Sequence, residues 1–344
     1  MGFDRKLLAI FIFPILACTL LITLTSIPNS LSIEWLDVTV TTDKPSYTYR
    51  SLVTIYGKLW LSGNPRSGVV GVEVVNPNNQ TLITRSVPAG TPTLSNIVEI
   101  VEVIPCDQYG NPKYTFKKGN FAHVKVKIKS NDLLSSRHVI ITVVAYDNDS
   151  TPILPNVKYL ETDILPNGTI EYKPDFFLYS WISTGTAKFY ACVFSDWPRN
   201  GGLPYTLEQS VQFTITSTSS LSTSALTFNR EIEPKTESNM YSLNFRLPPD
   251  EESGAPFGNY TVYVSADSQG YTGKNAASFI REYQIIGDTK FDHKIDVLDV
   301  VMVTSKYGLK SGESGWNPEV DVKPSGKIDI SDVVVVTQKY GQNY

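Results

Sequence analysis

The stretch His123-Val124-Lys125-Val126-Lys127-Ile128-Lys129 alternates without a break, with Val124, Val126 and Ile128 on one side and three lysines on the other. A period of two belongs to an extended strand with one face buried and one in water. Tyr241-Ser242-Leu243-Asn244-Phe245-Arg246-Leu247 alternates in the same way, as do Val211-Gln212-Phe213-Thr214-Ile215-Thr216 and Tyr260-Thr261-Val262-Tyr263-Val264. Turn formers such as Asn76-Pro77-Asn78-Asn79 and Tyr109-Gly110-Asn111-Pro112 separate these runs. Residues 33–286 carry no helical period, which predicts many short antiparallel strands packed as sandwiches rather than a parallel α/β sheet.

Two low-complexity joints divide this β region. Ser86 to Asn96 is rich in Pro, Gly, Ser and Thr, and Thr216 to Ser224 is nearly all Ser and Thr. They bracket a block at 97–216. The flanks, 33–92 and 225–286, would each leave sheet edges unpaired around a small core. Together they make one sandwich of ordinary size, so the expected arrangement is a discontinuous domain with a second sandwich inserted in it.

Thr42-Asp43-Lys44-Pro45-Ser46-Tyr47 followed by Val53-Thr54-Ile55-Tyr56-Gly57 resembles the opening strands of the macroglobulin-like, immunoglobulin-like domains of exported microbial surface proteins. Leu247-Pro248-Pro249, then Pro256-Phe257-Gly258-Asn259-Tyr260-Thr261-Val262, resembles their closing strands. That resemblance implies immunoglobulin-like sandwiches.

Beyond residue 286 the pattern changes. Residues 288–308 recur as 321–341 at an offset of 33, with thirteen identities in 21 positions and no gap. Each copy carries oxygen-bearing side chains at the spacing of an EF-hand loop, which offers a calcium ion ligands from positions 1, 3, 5, 7, 9 and 12. The first copy supplies Asp288, Asp292, the Lys294 carbonyl, Asp296 and Asp299; the second supplies Asp321, Ser325, the Lys327 carbonyl, Asp329 and Asp332. Position 3 is a lysine in both, Lys290 and Lys323. An ammonium cannot ligate calcium. Either lysine is therefore expected to take the ion position and pair with the aspartates, above all in the second loop, where Ser325 replaces a carboxylate and Pro324 stiffens the backbone.

This duplicated loop-then-helix pattern, covering 287–344, resembles the type I dockerin. The resemblance implies calcium at 288–299 and, with one carboxylate fewer, at 321–332. It also implies a small α-helical domain whose helix faces, starting near Val297, Leu298, Ile330 and Ser331, dock onto a cohesin-like or other surface protein. Val300-Val301-Met302-Val303 and Val333-Val334-Val335-Val336 favour strands by propensity. Gly308 and Gly341, placed as helix C-terminal glycines, favour the helix.

The 344 residues carry a net charge of −4 and a pI near 5.5, which speaks against a nucleic-acid partner. Arg5 and Lys6 ahead of the apolar run Leu7–Leu24 read as a signal peptide or an N-terminal anchor over 1–32, the latter the one way this chain would meet a membrane. Secretion or display at the cell surface follows, with sequons for glycosylation at Asn79, Asn148, Asn167 and Asn259. Cys106 and Cys192 are either one disulfide or two buried thiols. No nucleophile, metalloprotease or phosphate-binding motif is present, so no enzymatic activity is expected. Phe177, Tyr179 and Trp181 share one strand face; sandwich core is the expected reading, and a sugar platform the other.

The whole reads as a mainly β protein, two immunoglobulin-like antiparallel β-sandwiches plus a small dockerin-like domain, acting as a spacer or adhesive body with a docking tail. The alternative is a carbohydrate-binding accessory component of a polysaccharide-degrading assembly, with glycans as partners.

Overall fold

The computed structural model describes residues 35–93, 95–153, 157–217, 239–249 and 255–344, and Trp35–Tyr344 forms one contiguous unit. The expected leader at 1–32 lies outside the described residues, as does most of the Ser/Thr-rich joint. The described residues are mainly β, with two short α-helices toward the C-terminal end.

Four sheets carry the fold. The strand Leu52–Leu61 lies between Leu36–Val38 and Met240–Arg246, with the short Thr41–Thr42 and Asn64–Pro65 also paired to it. Facing it is the sheet Ser46–Tyr47, Tyr271–Arg281, Gly258–Ser268, Gly68–Val75, Thr81–Ala89. These two sheets share one apolar layer that includes Val53, Ile55, Val72, Tyr241, Phe245, Tyr260 and Phe279. Strands from 36–89 and from 240–281 are thus neighbours in the same sheets.

The strands between them build the other pair. Phe121–Ser130 is joined by Val98–Cys106, Thr169–Tyr172 and Asp175–Phe177. Opposite run Lys158–Ile164, Arg137–Tyr146, Gly185–Phe194, Gln209–Thr216 and Thr115–Lys117 in that order. Val124, Val126 and Ile128 enter the layer between these sheets along with Phe189 and Phe213, so the lysine-alternating stretch buries the face its pattern dictates. Among the described residues pairing is antiparallel except at two short junctions, Thr115–Lys117 on Gln209–Thr216 and Ser46–Tyr47 on Tyr271–Arg281.

The sheet containing Thr81–Ala89 also packs outward onto the one containing Arg137–Tyr146 and Gly185–Phe194. Gly68–Val75 is consequently buried along its whole length. This seam mixes apolar side chains, Val144, Tyr146 and Tyr190 among them, with polar pairs. The Thr84 hydroxyl donates to Thr142 at 2.8 Å, Arg199 pairs with Glu73 at 2.7 Å, and Arg85 forks onto Glu208. Gly71 is needed here, because a Cβ would stand 2.8 Å from the Phe194 ring.

Of the two cysteine alternatives the second holds, and one expectation, the aromatic core row, resolves differently from the sequence pattern. Cys106 and Cys192 are separate buried thiols. The aromatic row does not form core: Phe176 and Leu178 are buried, whereas Phe177, Tyr179 and Trp181 are not, Trp181 only leaning on the core's edge. Register is the reason. Phe176 pairs with the inward Ala122 and Phe177 with the outward Phe121. Among the described residues no helix is long and apolar enough to cross a membrane.

Candidate metal and docking site in the C-terminal repeat

Each copy folds as a loop followed by one helix, α1 at Val297–Ser305 and α2 at Ile330–Gln338. Both are β-branched sequences turned into helix by the same device. Asp296 caps α1 by accepting from the Leu298 amide while Asp299 accepts from the Asp296 amide; Asp329 and Asp332 do the same for α2. Such reciprocal caps satisfy otherwise orphaned amides. Packing adds to them, since Val303 and Val336 are buried with Ile295, Val320, Val322 and Ile328. Together these outweigh a strand propensity worth tenths of a kcal/mol per residue.

The two copies are related by a local two-fold exchange of backbone hydrogen bonds. Gly308 N–H donates to the Ile328 carbonyl and Gly341 N–H to that of Ile295; Ile328 N–H donates to Leu309 and Ile295 N–H to Gln342. Both glycines are left-handed, at φ 92° and 84°. Position 6 of each loop also needs a left-handed backbone. Gly326 meets that need without strain, and His293 adopts φ 65° despite its side chain.

In the first loop Asp288 accepts from the amides of Asp292 and His293 and from the Tyr344 hydroxyl at 2.9 Å. Burial and the Asp288 contact raise the Tyr344 phenol above its ordinary value. Asp299 accepts from the amides of Thr289 and Lys290. Lys290 pairs with Asp292 at 3.0 Å and Lys294 with Asp296 at 3.1 Å, so the lysine at position 3 stands against a position-5 carboxylate as its chemistry suggests. The Leu298 amide, then Lys294, hold Asp296 below the usual carboxylate range. The donor set Asp288, Asp292, the Lys294 carbonyl, Asp296 and Asp299 lies on one short loop, four carboxylates in all. That suits a hard cation if Lys290 is displaced from Asp292.

The second loop is built differently. Asp321 accepts from the amides of Ser325 and Gly326, and Asp332 from those of Lys323 and Asp329. Lys323 is exposed and makes no ion pair among the described residues. The Ser325 hydroxyl is turned to its own loop, on Lys327. The cation beside Asp321 is instead Arg50, 3.4 Å away, with both side chains fully buried. Arg50 also reaches Asp149 at 3.2 Å and the Pro318 carbonyl at 3.3 Å.

Around that guanidinium the segments carrying Asp149, Ser183 and Arg246 meet residues 311–321. Asp149 accepts from Ser311 and from the Trp316 indole N–H at 3.2 Å, and Ser183 donates to its other oxygen. Arg246 donates to the Arg50 and Asp149 carbonyls. Burial pushes Asp321 up to about 7, against Arg50 and the loop amides, and pushes Asp147 up to about 6 with help from Asp149. Burial works against the Arg50 charge as well, yet Tyr49, Asp321, Asp149 and Asp147 together raise it. The Asn148 amide nitrogen is engaged by Ser311 in this junction, unlike the exposed Asn79, Asn167 and Asn259.

Among the described residues no three His, Cys, Asp or Glu side chains converge as a ready-made metal cluster. Sequence spacing brings the predicted loop residues together along the backbone, but the Arg50 junction carried no local signal, its partner lying 271 residues away.

No family model matches the chain, and no curated protein matches it. Among solved structures, the C-terminal domain of wzt is similar at 9% identity over 40% of this chain and 86% of that one, with a TM-score of 0.30. A β-glucosidase from Listeria innocua in complex with isofagomine is 12% identical over 36% of this chain and 17% of its own, with a TM-score of 0.25. A Niemann-Pick type C2 protein from Japanese carpenter ant is 13% identical over 38% of this chain and 98% of its own, with a TM-score of 0.23. Likenesses this weak support no statement about function.

Proposed function

We propose that the chain is a non-enzymatic protein of the cell exterior, in which immunoglobulin-like sandwiches form a spacer or adhesive body and the dockerin-like tail docks to a second protein. In this reading 33–92 with 225–286 is a discontinuous domain interrupted by 97–216, and 287–344 is the docking module. Calcium is bound at the first loop through Asp288, Asp292, the Lys294 carbonyl, Asp296 and Asp299.

One observation carries the docking reading. Equivalent positions on the two helices present apolar side chains to solvent: Val297 and Ile330 at their starts, and Val301 and Val334 one turn on, these last 52% and 41% exposed. Single exposed apolar residues are ordinary, but a matched pair on two symmetry-related helices is the shape of a recognition face.

Biosensor titration of the full chain over immobilised cohesin-type domains tests it. Binding by the native chain, weakened about 30-fold or more in the Val301→Asp/Val334→Asp double variant, is the expected result. The melting temperature of that variant should hardly move, because surface substitutions stay near ±0.5 kcal/mol. Equal binding by both forms would remove the helix faces from the account.

The second reading, glycan binding, is favoured by the outward aromatic row. Phe121, Phe177, Tyr179 and Trp181 follow one another at ring-centroid distances of 5.2, 4.9 and 6.0 Å, the last two rings within 12° of parallel. A glycan array probed with the full chain separates this reading from the first.

A further inference from the structure

We infer that the second loop of the repeat works without a metal, with Arg50 supplying the positive charge and thereby fastening the tail module to the β body, so that calcium acts through the first loop alone. This rests on the calcium reading for the first loop and goes beyond it by giving the two loops different jobs.

The donor chemistry of the second loop does not fit calcium. Position 3 is Lys323 and position 5 is Ser325, whose hydroxyl bonds within its own loop. The position-1 carboxylate, Asp321, already faces a fully buried guanidinium. A second cation beside that arginine would meet its repulsion in a low-dielectric setting. Among the described residues the first loop has no such neighbour: its cations are Lys290 and Lys294, on flexible, partly exposed stems able to swing away.

The contacts of the two loops with the β body differ in the same sense. Arg50 donates to Pro318 and Asp321, the Tyr49 hydroxyl to the Val322 carbonyl, and Lys118 to the Ser325 carbonyl. Gly326 comes up against Ser183 and Thr184, whereas its counterpart His293 is exposed. Arg50 itself is held at φ 50°, a conformation unfavourable for a residue with a side chain, and the Arg246 guanidinium clamps its carbonyl at 2.6 Å. Strain of this kind persists where surrounding contacts over-determine it. Here those contacts aim one arginine between Asp149 of the body and Asp321 of the tail.

Hydrogen exchange of the full chain, in calcium and in chelator, tests the assignment. The amides of Ser325 and Gly326, which donate to Asp321, should exchange at the same rate in both, while those of Asp292 and His293, which donate to Asp288, should slow in calcium. In Arg50→Met the Ser325 and Gly326 amides should exchange about tenfold faster or more, having lost a buried charged partner for their acceptor. Arg50→Lys, which keeps the charge but cannot bridge both carboxylates, should fall between and serves if the methionine variant does not fold. Calcium slowing both loops alike, or Arg50 variants leaving the second loop unchanged, overturns the inference. If neither loop responds to calcium, the metal reading of the first loop fails, and the arginine variants still decide the role of Arg50.

Discussion

Arg85→Ala is expected to destabilise the protein by about 3–5 kcal/mol, the usual cost of stripping one partner from a buried ion pair. The Arg85 Nε donates to Glu208 at 2.7 Å while a second nitrogen takes the other carboxylate oxygen. The guanidinium lies 3.6 Å from the Tyr190 ring centroid, and only 8% of its side chain is exposed. Glu208 also accepts from the Ser86 amide, so the pair ties the strand Thr81–Ala89 to the start of Gln209–Thr216 across the seam. Removing the arginine leaves a carboxylate with little water to replace it. Glu208→Ala should cost a similar amount, and the double variant clearly less than the two together. Urea unfolding of the four forms measures this coupling; strict additivity would mean that the seam is not held by this pair.

Phe213→Ala should be comparably severe, about 3–5 kcal/mol, because a large core ring leaves both lost transfer energy and a cavity. Phe213 is fully buried, stacked on Phe189 at 4.2 Å and edge-on to Phe116 at 5.7 Å. These rings sit in the middle of the apolar layer between the second pair of sheets, where the rigid strands around them cannot collapse into the space. Phe121→Ala is the control: that ring is half exposed on the outer face of the same pair of sheets and should cost about 1 kcal/mol or less. Thermal or denaturant unfolding of the two variants distinguishes them, and equal losses would contradict the assignment of faces.

That assignment shows how far the sequence carries. Strict alternation in His123–Lys129, Tyr241–Leu247 and Val211–Thr216 is legible because a polar residue at every second position leaves one burial choice. In Phe176-Phe177-Leu178-Tyr179 both faces are apolar, and a one-residue slip exchanges them. Pairing with Phe121–Ser130 sets the register there, and nothing local encodes it. The loop-helix repeat is legible because its carboxylates, caps and glycines are local in sequence. The valine-rich helices needed both the caps and the shared core to prevail over propensity. Arg50 and Arg85 were silent because each reaches a partner that only the fold brings near, 271 and 123 residues away. The lysine at position 3 indicated a loop short of oxygen donors, and in the first copy Lys290 does pair with Asp292. In the second copy the charge comes from elsewhere in the chain.

Calorimetric titration of calcium into the intact chain tests the unequal-loop account most directly. One ion per chain, with binding lost in Asp292→Asn, is the predicted result. Two ions of comparable affinity, or none, would contradict it.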